Sequence, residues 1–195
     1  MINQRFIMKK TFIIVLSSIL CASAFAQTIQ SNFVTESSAG KFEETKGAVL
    51  KKEKFEGKSF QGFVSTITIT PAMITNLRNG EREVYVIVGS TIDKSSYSSI
   101  IDFDELPACI EALDYIINSE VNNKPNNYVD VFIKTRDALE IGAVYGLSLT
   151  GTKWQTAITH RKYVSNPTAT VSVKNLQEIL DALKSAQSLL QDKLD

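Results

Sequence analysis

The order of strand-like and helix-like segments is the feature that most limits how this chain can fold. In two regions, 47–103 and 128–173, short stretches alternate apolar and polar residues, as half-buried strands do. Each region is followed by a segment in which leucine or isoleucine recurs with helical spacing. The sequence therefore predicts an α+β fold of antiparallel sheets, with one helix after each group of strands, packed against a sheet face.

The two regions predict two successive ββββα units, 45–121 and 127–195. The predicted strands of the two units cover 47–55, 62–70, 83–88 and 97–103, then 128–134, 139–145, 153–163 and 169–173. An offset of 70 residues places Leu113 of the first helix on Leu183 of the second. Because the match is confined to the last strand and the helix of each unit, a true repeat and a chance likeness of amphipathic helices are both open.

The N-terminus has the three parts of a secretory signal peptide. Basic residues precede an apolar run over 11–20, and small residues follow it, ending in Ala24-Phe25-Ala26. The run is too short to span a bilayer, which needs about 20 residues. We therefore expect residues 1–26 to be removed and the protein to be periplasmic or secreted. A lipid anchor on Cys21 is the alternative, although Leu20 stands where a small residue is usual.

Cleavage would leave a slightly acidic chain of about 170 residues. It keeps 18 basic and 21 acidic residues, a formal charge of −3, so nucleic acid is not an expected partner. Cys109 is then the only cysteine, which excludes an intrachain disulfide, and stability must come from apolar burial. Residues 27–44 are polar and predict a mobile linker, followed by one folded domain over 45–195. No further segment predicts a membrane span.

One basic stretch is interleaved with aromatic residues and is the candidate binding site. A basic groove with stacking rings suits single-stranded nucleic acid. The alternative is an edge strand that lysines protect against aggregation, and Glu53 dilutes the charge. The candidate residues are Lys51, Lys52, Lys54, Phe55 and Phe60.

Three other features predict structural roles rather than catalytic or metal sites. His160 is the only histidine and is expected to be partly exposed on a strand, on the face that carries Trp154. Cys109 is expected to be a buried, inert thiol in the first helix. The carboxylates of Asp102, Asp104 and Glu105 are expected to stabilise the start of that helix. We expect no catalytic residue, no metal site and no cofactor.

The element order over residues 45–195 resembles the duplicated ββββα fold of whirly-type single-stranded nucleic-acid-binding proteins. Whirly proteins carry a Lys-Gly-Lys-Ala-Ala-Leu motif, and this chain has Lys46-Gly47-Ala48-Val49-Leu50. The resemblance implies a nucleic-acid binder but transfers no functional residues. The chain is also similar to exported bacterial proteins. The functional expectation is an exported, non-enzymatic binding or envelope-associated protein of unknown ligand and partner; the alternatives are an exported single-strand binder and a hydrolase of unknown type.

Cleavage after Ala26 is the first testable prediction, because the small residues at Ala24 and Ala26 fit a signal-peptidase site. Mass spectrometry of the exported protein should give a mature chain that begins at Gln27. A mature N-terminus at a lipidated Cys21 would instead show that the leader belongs to a lipoprotein.

Overall fold

Two antiparallel sheets and three helices form the part of the chain that the computed structural model describes, residues 37–148 and 151–194. Sheet A contains β1 (Leu50–Lys54), β2 (Lys58–Gln61), β3 (Ser65–Asn76), β4 (Arg82–Ile92) and β5 (Ser95–Asp102). Sheet B contains β6 (Val129–Lys134), β7 (Leu139–Ser148), β8 (Gly151–His160) and β9 (Thr168–Ser172). The helices are α1 (Ser38–Glu43), α2 (Leu106–Tyr115), which continues as a π-helical turn over Ile116–Glu120, and α3 (Lys174–Leu194).

The predicted α+β class with antiparallel sheets and a C-terminal helix is confirmed. Sheet B has the simple order β6-β7-β8-β9. In sheet A the order is β1-β3-β4-β5, and β2 pairs with the same long strand, β3, as β1 does. The two-unit interpretation is therefore only loosely matched, because sheet A has five strands and sheet B has four. No helix of the described residues is long and apolar enough to cross a membrane.

Sheet A has the additional strand because its edge strand is broken opposite Pro71. The N–H of Phe55 donates to the carbonyl of Pro71 at 2.9 Å. In an antiparallel ladder the N–H and C=O of one residue point to the same neighbouring strand. The N–H that Pro71 lacks would therefore point to the same side as its carbonyl, towards β1, and no ladder bond can form there. Gly57 crosses the break so closely that a Cβ there would lie 2.4 Å from the carbonyl oxygen of Ile69. The chain then forms β2, which the sequence pattern did not predict.

The start of the next strand also differs from its prediction. The alternation over 62–70 predicted Phe63 on the buried face, but β3 begins at Ser65. Phe63 lies in the turn that joins β2 to β3 and is 86% exposed. The carbonyl of Ser65 accepts a 2.7 Å hydrogen bond from the N–H of Gly62, which closes this turn.

The main core lies between the inner faces of the two sheets and the two long helices. Sheet A contributes Ile67 and Ile101, sheet B contributes Ile141, and the helices contribute Leu113 and Leu183; all are fully buried. The odd-numbered residues of β3 and of β7 face this core, which is the period of two that a pleated strand requires. The helical stripes predicted from leucine and isoleucine spacing therefore do form the core of the described residues.

The segment predicted as a linker is structured at its C-terminal end. Helix α1 covers Ser38–Glu43, and its Ala39 is fully buried on the outer face of sheet A, beside Ile74 and Tyr85. The carboxylate of Asp102 accepts the N–H groups of Ser38 at 2.7 Å and Ala39 at 3.1 Å. This cap comes from a strand far along the chain, so no local pattern predicts it. The predicted signal peptide, 1–26, and linker residues 27–36 lie outside the described residues.

The two sheets meet along a seam in which side chains of one sheet, or of a connection between its strands, bind the edge-strand backbone of the other. Ser65 Oγ donates to the carbonyl of Thr170 at 2.7 Å and accepts its N–H at 3.2 Å. Tyr163 Oη bonds both backbone groups of Ser98 in the same way. These bonds satisfy backbone groups that an edge strand would otherwise expose, which also protects the edges from pairing with another chain.

Truncation of the two equivalent helix leucines tests this packing. Leu113→Ala and Leu183→Ala should each lower the free energy of unfolding by about 2–5 kcal/mol, because each removes a buried side chain and leaves a cavity. Leu77→Ala is the matched control, since Leu77 is 58% exposed. Urea denaturation measures all three. A small effect of either core variant, equal to that of the control, would contradict the proposed core.

Candidate functional site

The outer face of sheet B carries a shallow depression whose floor consists of small residues. In the strand register Phe132 lies opposite Gly142, and Gly142 lies opposite Ala157. Since Gly142 and Ala157 have little or no side chain, the middle of this row is low and leaves a volume of about 150 Å³. The helices α2 and α3 pack against the inner face of the sheet, and the depression is on the opposite side.

Glycine is required at the centre of this floor. A Cβ built on Gly142 would lie 2.0 Å from the carbonyl oxygen of Val131 and 2.7 Å from Cα of Phe132, both backbone atoms that cannot yield. A second glycine of the same strand, Gly146, lies beside the ring of Tyr128, with 3.1 Å between its ideal Cβ position and Tyr128 Cδ2. The ring of Tyr128 therefore covers β7 at Gly146, where the strand lacks a side chain of its own.

Two exposed aromatic side chains stand at the rim of the depression. Tyr128 is 69% exposed and Phe132 is 46% exposed. They lie four residues apart on the edge strand β6 and its approach, so they share one face and are separated by about 13 Å. The exposed carboxylate of Asp130 lies between them on that face. Rings exposed to solvent next to a concave floor are typical of binding surfaces.

An ion pair completes the polar side of the site. Arg161 Nε donates to Glu140 Oε2 at 2.7 Å, and both residues line the depression. The Glu140 side chain is 11% exposed and that of Arg161 is 43% exposed, so the carboxylate fixes the guanidinium from below. Because Nε is engaged, a ligand would bind the terminal nitrogens of Arg161. Thr159 and Thr168, whose hydroxyls bond each other at 2.9 Å, are adjacent.

The structure does not bring the predicted basic–aromatic residues together on one open face. Phe60 is 5% exposed in the main core, and Phe55 packs against that core with Lys193 Nζ 5.3 Å from its ring centre. Lys52 forms an ion pair with Glu43 at 2.6 Å, and Lys51 with Glu53 at 3.0 Å. Phe60 belongs to β2 and Phe55 follows β1, and both rings pack on the main core rather than in an open groove.

His160 is buried, whereas the sequence predicted partial exposure. Alternation placed it correctly on the face of Trp154, but sheet A covers that face. Its Nδ1 lies 2.9 Å from Ser99 Oγ and its Nε2 lies 2.9 Å from Ser90 Oγ. A neutral imidazole has one donor and one acceptor nitrogen, so one serine accepts and the other donates. All three side chains are at most 3% exposed, so a substrate could not reach them without opening the seam.

Cys109 is buried in α2, as predicted, with 6% of its surface exposed. Burial raises the pKa of its thiol to about 12, and the carboxylate of Glu105 acts in the same direction. The thiolate, which is the reactive form of cysteine, is therefore disfavoured at neutral pH.

The predicted capping of α2 by the acidic residues around Asp102 is wrong, whereas their predicted interaction with the helix macrodipole stays a prediction. The helix begins after Glu105, whose side chain makes no capping bond and instead accepts the N–H of Arg136 at 2.8 Å. Arg136 also forms ion pairs with Asp102 and Asp104. Within residues 37–148 and 151–194, no group of three or more histidine, cysteine and carboxylate side chains is arranged to hold a metal ion.

Comparison with protein-family models gives no match, and no curated protein matches this chain significantly. The whirly-like interpretation stays a prediction. Sequence reasoning passed over Tyr128 and Phe132, although one signal was present. The strand Val129–Lys134 alternates, and Phe132 is an aromatic residue on the side that otherwise carries Asp130 and Lys134. An aromatic residue on the polar face of an alternating strand predicts an exposed ring.

The buried His160 predicts a specific dependence of stability on pH. Burial lowers the pKa of His160 from 6.5 to about 4, and the nearby Lys162 ammonium acts in the same direction. The unfolded chain therefore binds an additional proton between these values, so the stabilisation from neutral His160 is complete above pH 6.5 and is lost as the pH falls towards 4. The loss should approach about 3 kcal/mol.

Urea denaturation at several pH values measures this effect against the non-titrating variant His160→Gln. The free energy of unfolding should fall more steeply between pH 7 and pH 5 in the native protein than in the variant. Since His160 is the only histidine, its ring signals in a proton NMR spectrum are identified directly and should not titrate over this range. Titration near pH 6.5 would show that the imidazole is solvated.

Proposed function

We propose that the protein is an exported, non-enzymatic binding protein that holds its ligand on the outer face of sheet B. The observation that carries the proposal is the solvent-exposed pair of rings, Tyr128 and Phe132, beside a depression lined by Asp130, Glu140 and Arg161. Large exposed aromatic residues are costly for solubility and are characteristic of recognition surfaces. The signal-peptide pattern supports a location outside the cytoplasm.

The placement of the chemically versatile side chains favours binding over catalysis. Both nitrogens of His160 are engaged by buried serines. A general base needs access to the proton that it removes, and a nucleophilic cysteine needs its thiolate. His160 and Cys109 both have neutral forms stabilised by burial. These features support the non-enzymatic function over a hydrolase that uses either residue.

The charges that line the depression favour a ligand other than nucleic acid. Asp130 and Glu140 line the depression, and Arg161 is the single cation among its lining residues. Phosphate recognition depends on several lysine or arginine contacts, and carboxylates at the same place repel the backbone. The lysines of β1 do not help, because two of them are paired with glutamates.

Co-sedimentation with washed envelopes of the producing bacterium tests the proposal. The mature chain 27–195 should sediment with the envelopes, and the double variant Tyr128→Ala, Phe132→Ala should remain in the supernatant. The matched control is Tyr115→Ala, Phe63→Ala, since these two rings are 59% and 86% exposed elsewhere on the molecule. Thermal melts show that each variant is folded.

Three outcomes would contradict the proposal. The native chain could stay in the supernatant, the two double variants could sediment equally well, or the control alone could lose binding. A labelled single-stranded oligonucleotide added as a competitor separates the alternative function. If the oligonucleotide displaced the protein and did so less well at high salt, the nucleic-acid alternative would replace the proposed one.

A further inference from the structure

We infer that the ligand of the outer face of sheet B is an uncharged saccharide chain. This inference rests on the proposed function and concerns its ligand. The three features that carry it are the row Tyr128–Asp130–Phe132, the paired Glu140 and Arg161, and the small-residue floor.

The spacing of the row suits an extended ligand that has repeating apolar faces. Phe132 lies in β6 and Tyr128 directly precedes that strand, so that their Cα atoms are about 13 Å apart along the extended backbone. A sugar ring has an apolar face of C–H groups that packs on an aromatic ring and a polar rim of hydroxyl groups. Two rings on one strand can therefore each take one sugar of the same oligosaccharide. Between them, Asp130 is placed to accept hydrogen bonds from hydroxyl groups of that chain.

The ion pair offers hydrogen-bond donors and acceptors side by side. Arg161 has only donors, and the carboxylate of Glu140 has only acceptors. A hydroxyl group is both a donor and an acceptor, so adjacent hydroxyls of one sugar can bind both partners. The 2.7 Å bond between Arg161 and Glu140 fixes the guanidinium before a ligand arrives. Less conformational entropy is therefore lost on binding.

Charge complementarity separates a neutral saccharide from other occupants. The two carboxylates and one guanidinium that line the depression give it a formal charge of −1. This disfavours phosphates, sulfates and acidic peptides, while the charge-neutral Arg161–Glu140 pair suits a ligand that has many hydroxyls and no charge. An apolar protein partner would find few apolar side chains on the floor, which contains Gly142, Ala157 and the half-buried Val144. The volume of about 150 Å³ suits one sugar ring rather than a large side-chain cluster.

Competition and direct binding test the inference with two soluble probes, chitotetraose and maltotetraose. At least one of the two probes should release the mature chain from envelopes. In an NMR titration, that probe should also shift the amide signals of β6, β7 and β8. Chitotetraose alone would indicate a neutral N-acetylated amino-sugar chain. Maltotetraose alone would indicate a plain glucan. Both results support a saccharide ligand.

Variants show whether the named residues bind the probe. Tyr128→Ala and Phe132→Ala should each weaken binding of the effective probe by about tenfold, as truncation of a contact ring does. Asp130→Asn and Arg161→Lys should also weaken it, because each changes the donors or the acceptors. Tyr115→Ala and Phe63→Ala should leave it unchanged. Equal binding by the Tyr128 and Phe132 variants would overturn the inference.

Failure of the inference can be distinguished from failure of the proposed function. If envelopes retain the protein through Tyr128 and Phe132, but neither probe releases it or shifts its signals, the proposed function stands and the saccharide ligand is wrong. If envelopes do not retain the protein at all, but a probe binds on β6–β8, the ligand class stands without the envelope. If neither occurs, both proposals fail.

Discussion

A buried imidazole bonds the two sheets to each other beside the apolar core that they share. His160 of β8 bonds Ser99 and Ser90, which lie on two strands of sheet A. Each of these bonds is isolated from water, so an unpaired partner would cost free energy without compensation. The inner faces of both sheets are thereby closed around α2 and α3. The outer faces of the sheets point away from this core. Such a face can bind a ligand only where no other element of the chain packs on it.

The two outer faces differ in that one is covered by the chain itself. Helix α1 packs on the outer face of sheet A, where Ala39 contacts a cluster of Ala72, Ile74 and Tyr85, and Asp102 caps it. Sheet B has instead Tyr128 and Phe132 exposed to solvent. Glycines on β7 let the rings and the backbone of β6 approach closely. The pairing of β6 with β7 therefore requires glycine at position 142, because a side chain there would push the two strands apart. The low floor beside Phe132 is a consequence of this pairing.

Sequence periodicity predicted the α+β class, the antiparallel sheets and the two helical stripes, because alternation and helical spacing are local properties. It did not predict β2, whose separation from β1 depends on Pro71 in the neighbouring strand. Nor did it predict α1, whose N-cap Ser37 is local but whose first two N–H groups bond Asp102, which is distant in sequence. For His160 the face was predicted, but its burial was not, because that depends on sheet A. The ring of Phe132 was visible as an exception to a polar pattern, whereas the glycine floor opposite it follows only from the strand register.

Native-state hydrogen exchange at the seam is the most direct test of how the sheets are joined. Ser98, Ile100 and Thr170 lie on edge strands, and their N–H groups are accepted by side chains of Tyr163 and Asp137 in connections of sheet B and of Ser65 in sheet A. If the seam is fixed, these amides should exchange only through large-scale opening, with protection close to that of central β4. Ser65→Ala should remove that protection at Thr170 first. Exchange of all three amides at the rate of an unfolded chain would show that the sheets are not held together in this way.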